Sequence, residues 1–392
     1  MAKKTRVVII LPTYNESENI GPLITKLHTV LAKEKNYDSS ILVVDDRSPD
    51  GTADRVRNLM KQYPEINLQE GKKEGLGAAY IRGMQYAIDH MHADILFEMD
   101  ADLSHDPALV PAFLRQIEQG YDFVIGNRYI KGGAIPENWP WYRKLFSRCA
   151  NIVVRFGLML PEYHEWSSGY RAIRSSVFRT VSQGLKKYRG YTFQIAFMHR
   201  TIREGYKVGE VPLKFVDRKW GKSKIIPYEY IPNVFRYVFL NSSFVKFFIT
   251  GTIGFAVDFT IAYMLINSFD LHKPTANALS GEVAIATNFT INNFWSFSHK
   301  RIRGGFPAYL KKFLHFNLVA SGAIAIQWIG MYLALDIFGD RLISTGIVNV
   351  QSWLVYKIFI IILFIIPYSY FMYNRFIWPH SKTLMSDEAT SK

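Results

Sequence analysis

Two carboxylates separated by one residue, Asp100 and Asp102, come directly after the apolar run Ile95–Met99. A short apolar run of this kind predicts a buried strand. Side chains at the end of such a strand can present their oxygens to one hard cation, and Mg²⁺ or Mn²⁺ prefers these ligands together with phosphate oxygens. The pair therefore predicts a divalent metal site, with an acidic turn in solvent as the alternative.

Other polar residues follow short apolar runs in the same way, and helical stretches separate the runs. This order predicts an α/β fold with a Rossmann-like, mostly parallel sheet. Ligands of such sheets bind at the carboxyl ends of the strands. The further runs are Val7–Leu11, Ile41–Val44 and Phe123–Ile125, and the polar residues behind them include Tyr14, Glu16, Asp45, Asp46, Asn127 and Arg128.

The basic side of the predicted site comes from arginines and lysines near these strand ends. Arg128 directly follows a strand, and residues 218–224 form a basic loop of the kind that closes over phosphates. Any one of these cations can equally be a solvated surface charge. Their positions beside acidic strand ends favour phosphate binding. The candidates are Arg128, Arg143, Lys144, Arg218 and Lys224.

The composition narrows the class of protein. The chain has 392 residues, 49% of them hydrophobic, a net charge of +14 and one cysteine. This composition excludes disorder for most of the chain, and the single Cys149, predicted to pack in the interior, cannot form an internal disulfide. The basic excess suits nucleic acid, an anionic membrane or phosphorylated substrates. No nucleic-acid partner is predicted, because the cations do not form one continuous stripe.

The second half of the sequence predicts a membrane domain. Four long apolar stretches lie near 244–268, 275–297, 313–338 and 346–373, and each approaches the length that a bilayer-spanning helix needs. Buried helices of a soluble domain are the alternative. The loop His299–Lys312 holds five Lys and Arg residues, which predicts a cytoplasmic loop. Four spans then place both ends of the chain in the cytoplasm.

The segment Ile225–Ser243 joins the two halves and is rich in aromatic residues. It predicts amphipathic helices in the membrane interface, with an ordinary connecting helix as the alternative. Pro227 and Pro232 predict two short helices rather than one. The expected organisation is a cytoplasmic domain at 1–224, interface helices at 225–243, an all-α domain of four transmembrane helices at 244–378 and a cytoplasmic tail at 379–392. Asp258 and Glu282 fall within predicted spans, where ionisable groups are costly. They are predicted either to act on a lipid phosphate or a proton or to form structural hydrogen bonds.

Six motifs resemble those of dolichol-phosphate mannose synthases, which are family 2 glycosyltransferases with the GT-A fold. The membrane half is similar to GtrA-like four-span modules, notably in "NFTINNFWSF" (288–297). The six motifs are "PTYNE" (12–16), "VVDDRSPDGT" (43–52), "MDADLSHDP" (99–107), "GNRYIKGG" (126–133), "SSGYRA" (167–172) and "FVDRKWGKSK" (215–224).

The resemblance assigns roles to matching residues. Asp100 and Asp102 would bind Mg²⁺ or Mn²⁺, with Ser104 where some relatives carry a third ligand. Asp102, Arg128 and Arg143 would be catalytic, and Arg128, Arg143 and Ser147 would bind the lipid phosphate. The residues implied in nucleotide-sugar binding are Pro12, Tyr14, Glu16, Val44, Asp46, Asp100, Ala101, Asp102, Ser104, Arg128, Arg218 and Lys224.

The implied reaction transfers mannose from GDP-mannose to dolichyl or another polyprenyl phosphate, with inversion, at the plasma membrane of a prokaryote. A phosphate monoester is already anionic at neutral pH, so no strong general base is needed. One alternative is transfer from UDP-glucose or another nucleotide sugar. A second is a non-catalytic lipid carrier or flippase. No obligatory protein partner is expected.

Overall fold

The computed structural model describes residues 4–217, 227–302, 304–339, 341–344 and 349–378. The chain divides into two compact units, Met1–Phe239 and Leu240–Lys392. We refer to them as the N-terminal unit and the C-terminal unit and describe each by itself.

The N-terminal unit is built on one seven-stranded sheet, as the alternating pattern predicts. Its strands are β1 (Thr5–Thr13), β2 (Tyr37–Asp45), β3 (Ile66–Glu70), β4 (Ile95–Glu98), β5 (Phe123–Asn127), β6 (Arg171–Arg174) and β7 (Val208–Pro212). The spatial order is β3-β2-β1-β4-β6-β5-β7. Only β6 runs antiparallel to its neighbours β4 and β5, and the other pairs are parallel. The predicted mostly parallel α/β sheet is confirmed.

Helices cover both faces of this sheet. Along β1, Val8 and Ile10 pack on one face, whereas Val7 and Ile9 pack on the other. Both faces are buried, which is why the strand is a continuous apolar run rather than an alternating one. The helices are α1 (Ser17–Leu31), α2 (Thr52–Met60), α3 (Leu76–Asp89), α4 (Val110–Glu118), α5 (Trp141–Gly157), α6 (Ser175–Val181) and α7 (Gly190–Arg203).

One helix, α8 (Pro227–Asn241), replaces the two short helices predicted for the connecting segment. That prediction was wrong because neither proline forces a break. Pro227 occupies the first helical position, where no backbone N–H is required. Pro232 lies inside the helix and removes one backbone hydrogen bond, and the packing of α8 on the core offsets this loss. Val234, Tyr237 and Val238 of α8 join the buried core of the N-terminal unit. The helix therefore has one packed face, while Phe235 and other apolar residues remain exposed.

Among its described residues, the C-terminal unit is helical apart from a short hairpin of β8 (Leu342–Ser344) and β9 (Asn349–Gln351). Three of its described segments are long and apolar enough to cross a membrane: Ser243–Asn267, Gly305–Phe338 and Ile358–Ile377. Its α-helices are α9 (Ser243–Asn267), α10 (Lys273–Ile291), α11 (Gly305–Phe338), α12 (Ser352–Ile360) and α13 (Ile366–Met372).

The second predicted span, near 275–297, overlaps α10, which is a helix of 19 residues and is not one of these three segments. Polar residues such as Ser280, Glu282 and Asn288 lower its hydropathy, and its membrane crossing stays a prediction. Ser280 donates a hydrogen bond of 2.6 Å to Asp258 on α9. This contact gives Asp258 a structural partner between two packed helices, in line with the structural alternative for that residue.

Candidate active site

Asp45 links the carboxyl ends of β1 and β2 through hydrogen bonds. The Thr13 hydroxyl donates to Asp45 Oδ1 at 2.8 Å, and Ser48 donates to the same carboxylate through its backbone N–H at 2.8 Å and its hydroxyl at 2.6 Å. Asp45 is fully buried. Asp45 therefore stabilises the turn after β2. The next residue, Asp46, has a charged partner instead.

Asp46 accepts a hydrogen bond of 2.6 Å from Nη2 of Arg82 on α3. Burial raises the pKa of Asp46, although Arg82 acts in the opposite direction. A second cation, Lys73, places its Nζ 3.4 Å from the centre of the Tyr14 ring. Neither Arg82 nor Lys73 was among the predicted site residues. Lys73 lies between β3 and α3, Arg82 lies on α3, and neither belongs to one of the six motifs. They add positive charge beside Tyr14 and Asp46.

The loop after β1 holds the other predicted nucleotide contacts. Pro12 and Val44 are register partners in the β1–β2 ladder, so they share the same edge of the sheet. Asn15 adopts the left-handed conformation at φ = 56°, which turns the chain sharply before α1. The Glu16 backbone N–H donates to the Thr52 hydroxyl at 3.1 Å. The "PTYNE" segment is thus tied to the segment that follows β2.

The two carboxylates after β4 accept hydrogen bonds from Tyr80 and Ser104, and His105 holds the Asp100 backbone. The Tyr80 hydroxyl donates to Asp100 Oδ1 at 3.0 Å, and the Asp100 backbone N–H donates to His105 Nδ1 at 3.1 Å. Ser104 donates to Asp102 Oδ1 through its N–H at 3.1 Å and its hydroxyl at 2.6 Å. Ala101, between the carboxylates, is buried. The structure thus shows Ser104 orienting Asp102, and its direct contact with a metal stays a prediction.

The residues of this loop suit a hard divalent cation. Asp100 is one-third exposed, with 33% of its side chain accessible, and carboxylate oxygens are ligands that Mg²⁺ and Mn²⁺ accept. The described part of the chain contains no group of three or more His, Cys, Asp and Glu that could hold a metal. Two carboxylates are enough when substrate phosphates and water supply the remaining positions, as is usual for Mg²⁺.

A buried ion pair lies at the carboxyl end of β4, directly before the two carboxylates. Glu98, the last residue of β4, lies 3.7 Å from Nε of Arg171, and both side chains are inaccessible. Burial raises the pKa of Glu98 to about 7, against the lowering effect of Arg171. Arg171 also donates to three carbonyl oxygens, those of Trp166, Ser168 and Gln194. It thereby fixes the loop that leads into β6.

Arg128 follows β5 as predicted and is held by a residue that the sequence analysis missed. Glu165 accepts hydrogen bonds from Arg128 Nε at 2.7 Å and Nη2 at 2.9 Å, and the Ser167 hydroxyl accepts another from Nη2 at 2.9 Å. Burial alone lowers the pKa of Arg128, but Glu165 outweighs it and the net pKa rises. The guanidinium is therefore charged and rigidly oriented. The only sequence signal was that Glu165 lies two residues before the start of the "SSGYRA" motif.

Arg143 and Ser147 lie on α5, one turn apart. Ser147 Oγ is 2.6 Å from the Tyr129 hydroxyl, so this part of α5 lies beside the residue after Arg128. Arg143 is half exposed, with its guanidinium 3.8 Å from the Trp139 ring centre and 3.7 Å from Asp217. Arg218 and Lys224, the predicted loop cations, lie outside the described residues.

The outer face of α5 carries large apolar side chains that are exposed to solvent. Its buried residues are only Asn151 and Val154. Cys149 is exposed on this helix, so the prediction that it packs in the interior was wrong: α5 touches the core through one narrow stripe that does not include it. The exposed apolar residues are Trp141, Tyr142, Leu145, Phe146, Ile152 and Phe156, and we call them the α5 apolar face.

One loop, residues 165–171, brings the carboxylates and Arg128 together. Glu165 and Ser167 bind Arg128, as described above. A Cβ atom at Gly169 would lie 3.4 Å from Asp100 Oδ1, so the backbone there closely approaches the carboxylate. Tyr170 stacks on His105 with ring centres 5.0 Å apart. Two sets of predicted residues, far apart in sequence, therefore form one site.

Comparison with known proteins agrees with this arrangement. Residues 8–182 match the model of glycosyl transferase family 2, and residues 246–378 match the GtrA/DPMS transmembrane domain. The chain is thus a membrane-integrated glycosyltransferase.

Three curated relatives narrow the family. The dolichol-phosphate mannosyltransferase of Pyrococcus furiosus is 35% identical over 342 residues, which cover 84% of this chain and 92% of the relative. The polyprenol monophosphomannose synthase of Mycolicibacterium smegmatis is 38% identical, covering 56% of this chain and 81% of the relative. The undecaprenyl-phosphate mannosyltransferase of Micrococcus luteus is also 38% identical, covering 56% and 87%. The chain belongs to the family of dolichol-phosphate and polyprenyl-phosphate mannosyltransferases.

Proposed function

We propose that this enzyme transfers mannose from GDP-mannose to dolichyl or another polyprenyl phosphate, with inversion, and forms a β-linked dolichyl mannosyl phosphate. Such a product serves as a lipid-linked sugar donor for glycosylation. The observation that carries the proposal is the single loop, residues 165–171, in which Glu165 and Ser167 bind Arg128 and Gly169 lies against Asp100. This arrangement provides a metal-binding surface for a leaving diphosphate and a fixed cation for an attacking phosphate.

On the donor side, Asp100 and Asp102 would hold Mg²⁺ or Mn²⁺, and the metal would supply positive charge to the diphosphate of the donor. Asp46 and Tyr14, with the cations Arg82 and Lys73 beside them, line the edge where we place the nucleotide. The hydrogen bonds to both metal-binding carboxylates orient them before substrate binds, so little reorganisation is needed during the reaction. We assign Arg218 and Lys224 to the same diphosphate.

On the acceptor side, the lipid phosphate is itself the nucleophile. Its second pKa is near 6, so it is mostly dianionic at neutral pH and requires no strong general base. Glu165 occupies Nε and one edge of Nη2 of Arg128, which leaves the guanidinium with a fixed direction for its remaining donors. We propose that Arg128, with Arg143 and Ser147, holds the phosphate in line with the anomeric carbon.

The acceptor enters from the membrane surface. The α5 apolar face and the exposed residues Ile231, Phe235 and Phe239 of α8 are aromatic and aliphatic side chains that suit the headgroup interface. Only Ser242 separates the end of α8 from the apolar helix α9, so α8 enters the bilayer surface. We place residues 1–224 and the tail on the cytoplasmic side, in the plasma membrane of a prokaryote, because of the basic loop 299–312.

The test is a donor and acceptor competition with the purified full-length protein. GDP-mannose and UDP-glucose are each supplied with dolichyl phosphate or undecaprenyl phosphate, with and without a chelator. We expect turnover with GDP-mannose that stops in chelator and returns with Mg²⁺ or Mn²⁺. Turnover only with UDP-glucose would overturn the mannose assignment. Absence of transfer from every donor would favour the lipid-carrier alternative, and full activity in chelator would remove the metal.

A further inference from the structure

Asp217 belongs to the "FVDRKWGKSK" motif (215–224), yet the proposed function gives it no role. Its side chain is one-third exposed and accepts two hydrogen bonds from the segment before α5. Trp139 Nε1 donates to Asp217 Oδ1 at 2.7 Å, and Asn138 Nδ2 donates to Oδ2 at 3.4 Å. Both oxygens of the carboxylate are thus tied to one short segment, which fixes the direction of the group.

Arg143, in the first turn of α5, contacts both Asp217 and Trp139. Its Nη1 lies 3.7 Å from Asp217 Oδ1, and its guanidinium carbon lies 3.8 Å from the centre of the Trp139 ring. The ion pair and the cation–π contact restrict a long side chain that is half exposed. Because 3.7 Å exceeds the length of a hydrogen bond, Asp217 takes none of the N–H donors of the guanidinium.

The segment that carries Asp217 is also connected to Arg128. The Phe215 backbone N–H donates to the Ala134 carbonyl at 3.0 Å. The Phe215 ring packs against Trp139 with ring centres 5.9 Å apart, and the guanidinium carbon of Arg128 lies 5.6 Å from the centre of the Phe215 ring. Phe215 and Asp217 therefore link the two arginines that we assign to the acceptor phosphate.

We propose that Asp217 is a positioning residue for the acceptor phosphate and acts through Arg143. The inference rests on the proposed function, in which Arg143 binds that phosphate. A long side chain loses conformational entropy when a ligand immobilises it, and an arginine that Asp217 already holds over Trp139 loses less. Asp217 also repels any nearby anion, so the two effects have opposite signs. Positioning predicts that loss of the Asp217 charge weakens phosphate binding, whereas repulsion alone predicts tighter binding.

The test compares Asp217→Asn, Arg143→Gln and the double variant as full-length proteins in neutral detergent. Calorimetric titration with citronellyl phosphate, a short prenyl phosphate, measures acceptor binding without any donor. Asparagine still accepts a hydrogen bond from Trp139 but carries no charge. We expect Asp217→Asn to weaken binding about threefold to tenfold, and Arg143→Gln to weaken it about tenfold to a hundredfold. Once Arg143 is replaced, Asp217→Asn should have no further effect.

Asp38→Asn is the matched control. Asp38 lies 3.7 Å from Arg6 Nε in an exposed ion pair near the start of β1 and β2, at the opposite end of these strands from the proposed site. The control therefore makes the same change of charge at an ion pair of the same length. Its affinity for citronellyl phosphate should equal that of the wild type.

Turnover with GDP-mannose provides a second measurement. Asp217→Asn should raise the acceptor KM and leave the donor KM unchanged. Equal rises in both KM values would show that Asp217 only supports the fold, and would overturn the inference. The calorimetric test needs no donor, so a failure of the donor assignment does not affect it.

The binding outcomes separate this inference from the proposed function. Unchanged or tighter binding by Asp217→Asn overturns the inference, as does an equal loss in the wild-type and Arg143→Gln backgrounds. Unchanged binding by Arg143→Gln overturns the acceptor role of Arg143 and the inference together. Should Asp217→Asn fail to fold, Trp139→Phe removes the donor that holds the carboxylate and should weaken binding about threefold; unchanged binding by that variant overturns the inference.

Discussion

The two sides of the active site are constructed differently. The carboxylate side, formed by Asp46, Asp100 and Asp102, lies in turns after β2 and β4, the two strands that flank β1. Each of these carboxylates accepts a hydrogen bond from a side chain or a nearby backbone group. Because the strands fix the turns, this side is ordered before any substrate binds.

The arginine side, formed by Arg128, Arg143 and Ser147, depends on a helix and a distant loop. Arg128 is buried against Glu165, whereas Arg143 is half exposed on α5. The α5 apolar face lies on the same helix. The strands thus fix the carboxylate side, while the arginine side includes a helix with an exposed apolar face. These two environments suit the proposed donor, a soluble nucleotide sugar, and the proposed acceptor, a lipid headgroup.

The largest effect is expected on the carboxylate side. Asp102→Ala removes one of two proposed metal ligands and should lower kcat about a thousandfold or more, as loss of a main electrostatic stabiliser does. Steady-state turnover with GDP-mannose measures this effect. Asp89→Asn, at the exposed end of α3, is the matched control and should retain full activity. Activity within tenfold of the wild type for Asp102→Ala would remove the metal site from this side.

A smaller and more selective effect is expected from Glu165→Gln. The substitution keeps the shape of the side chain but removes the charge that orients Arg128, so the acceptor KM should rise or kcat fall by about tenfold to a hundredfold. The donor KM should stay close to that of the wild type. The exposed Glu162→Gln is the control. Equal losses for donor and acceptor, together with a lower Tm, would show that Glu165 only supports the fold.

The α5 apolar face allows the comparison to be tested at the membrane. Phe146→Ser combined with Phe156→Ser should lower turnover about tenfold on polyprenyl phosphate embedded in vesicles, because each lost aromatic contact weakens apolar burial. Turnover on a short-chain acceptor in detergent should not change. Both side chains are more than half exposed, so little change in Tm is expected. Equal losses in both assays would contradict a membrane role for α5.

The sequence predicts the residues of the site best where their contacts are close together along the chain. Asp100 and Asp102 were predictable because one strand and a two-residue spacing place them together. Glu165 was not, since it reaches Arg128 across 37 residues and only tertiary folding reveals the pair. The exposed side of α5 was also missed, because apolar residues on a helix ordinarily predict a buried face. The helical path of α8 through Pro232 likewise depended on packing by Tyr237 and Val238.

The smallest effect on turnover is expected from Glu98→Gln, since Glu98 lies beneath the site rather than in it. Its pKa is raised from 4.5 to about 7 in the folded protein. Between these two values the folded state retains a proton that the unfolded state has lost, so this residue makes stability fall as pH rises from 4.5 to 7. Glutamine cannot ionise and should remove that slope. The measurement is Tm at several pH values from 5 to 8 for both proteins in detergent. Parallel curves would show that Glu98 stays charged throughout this pH range. Glu98 and Arg171 would then form an ion pair at every pH tested, rather than a contact between a protonated carboxyl group and a guanidinium.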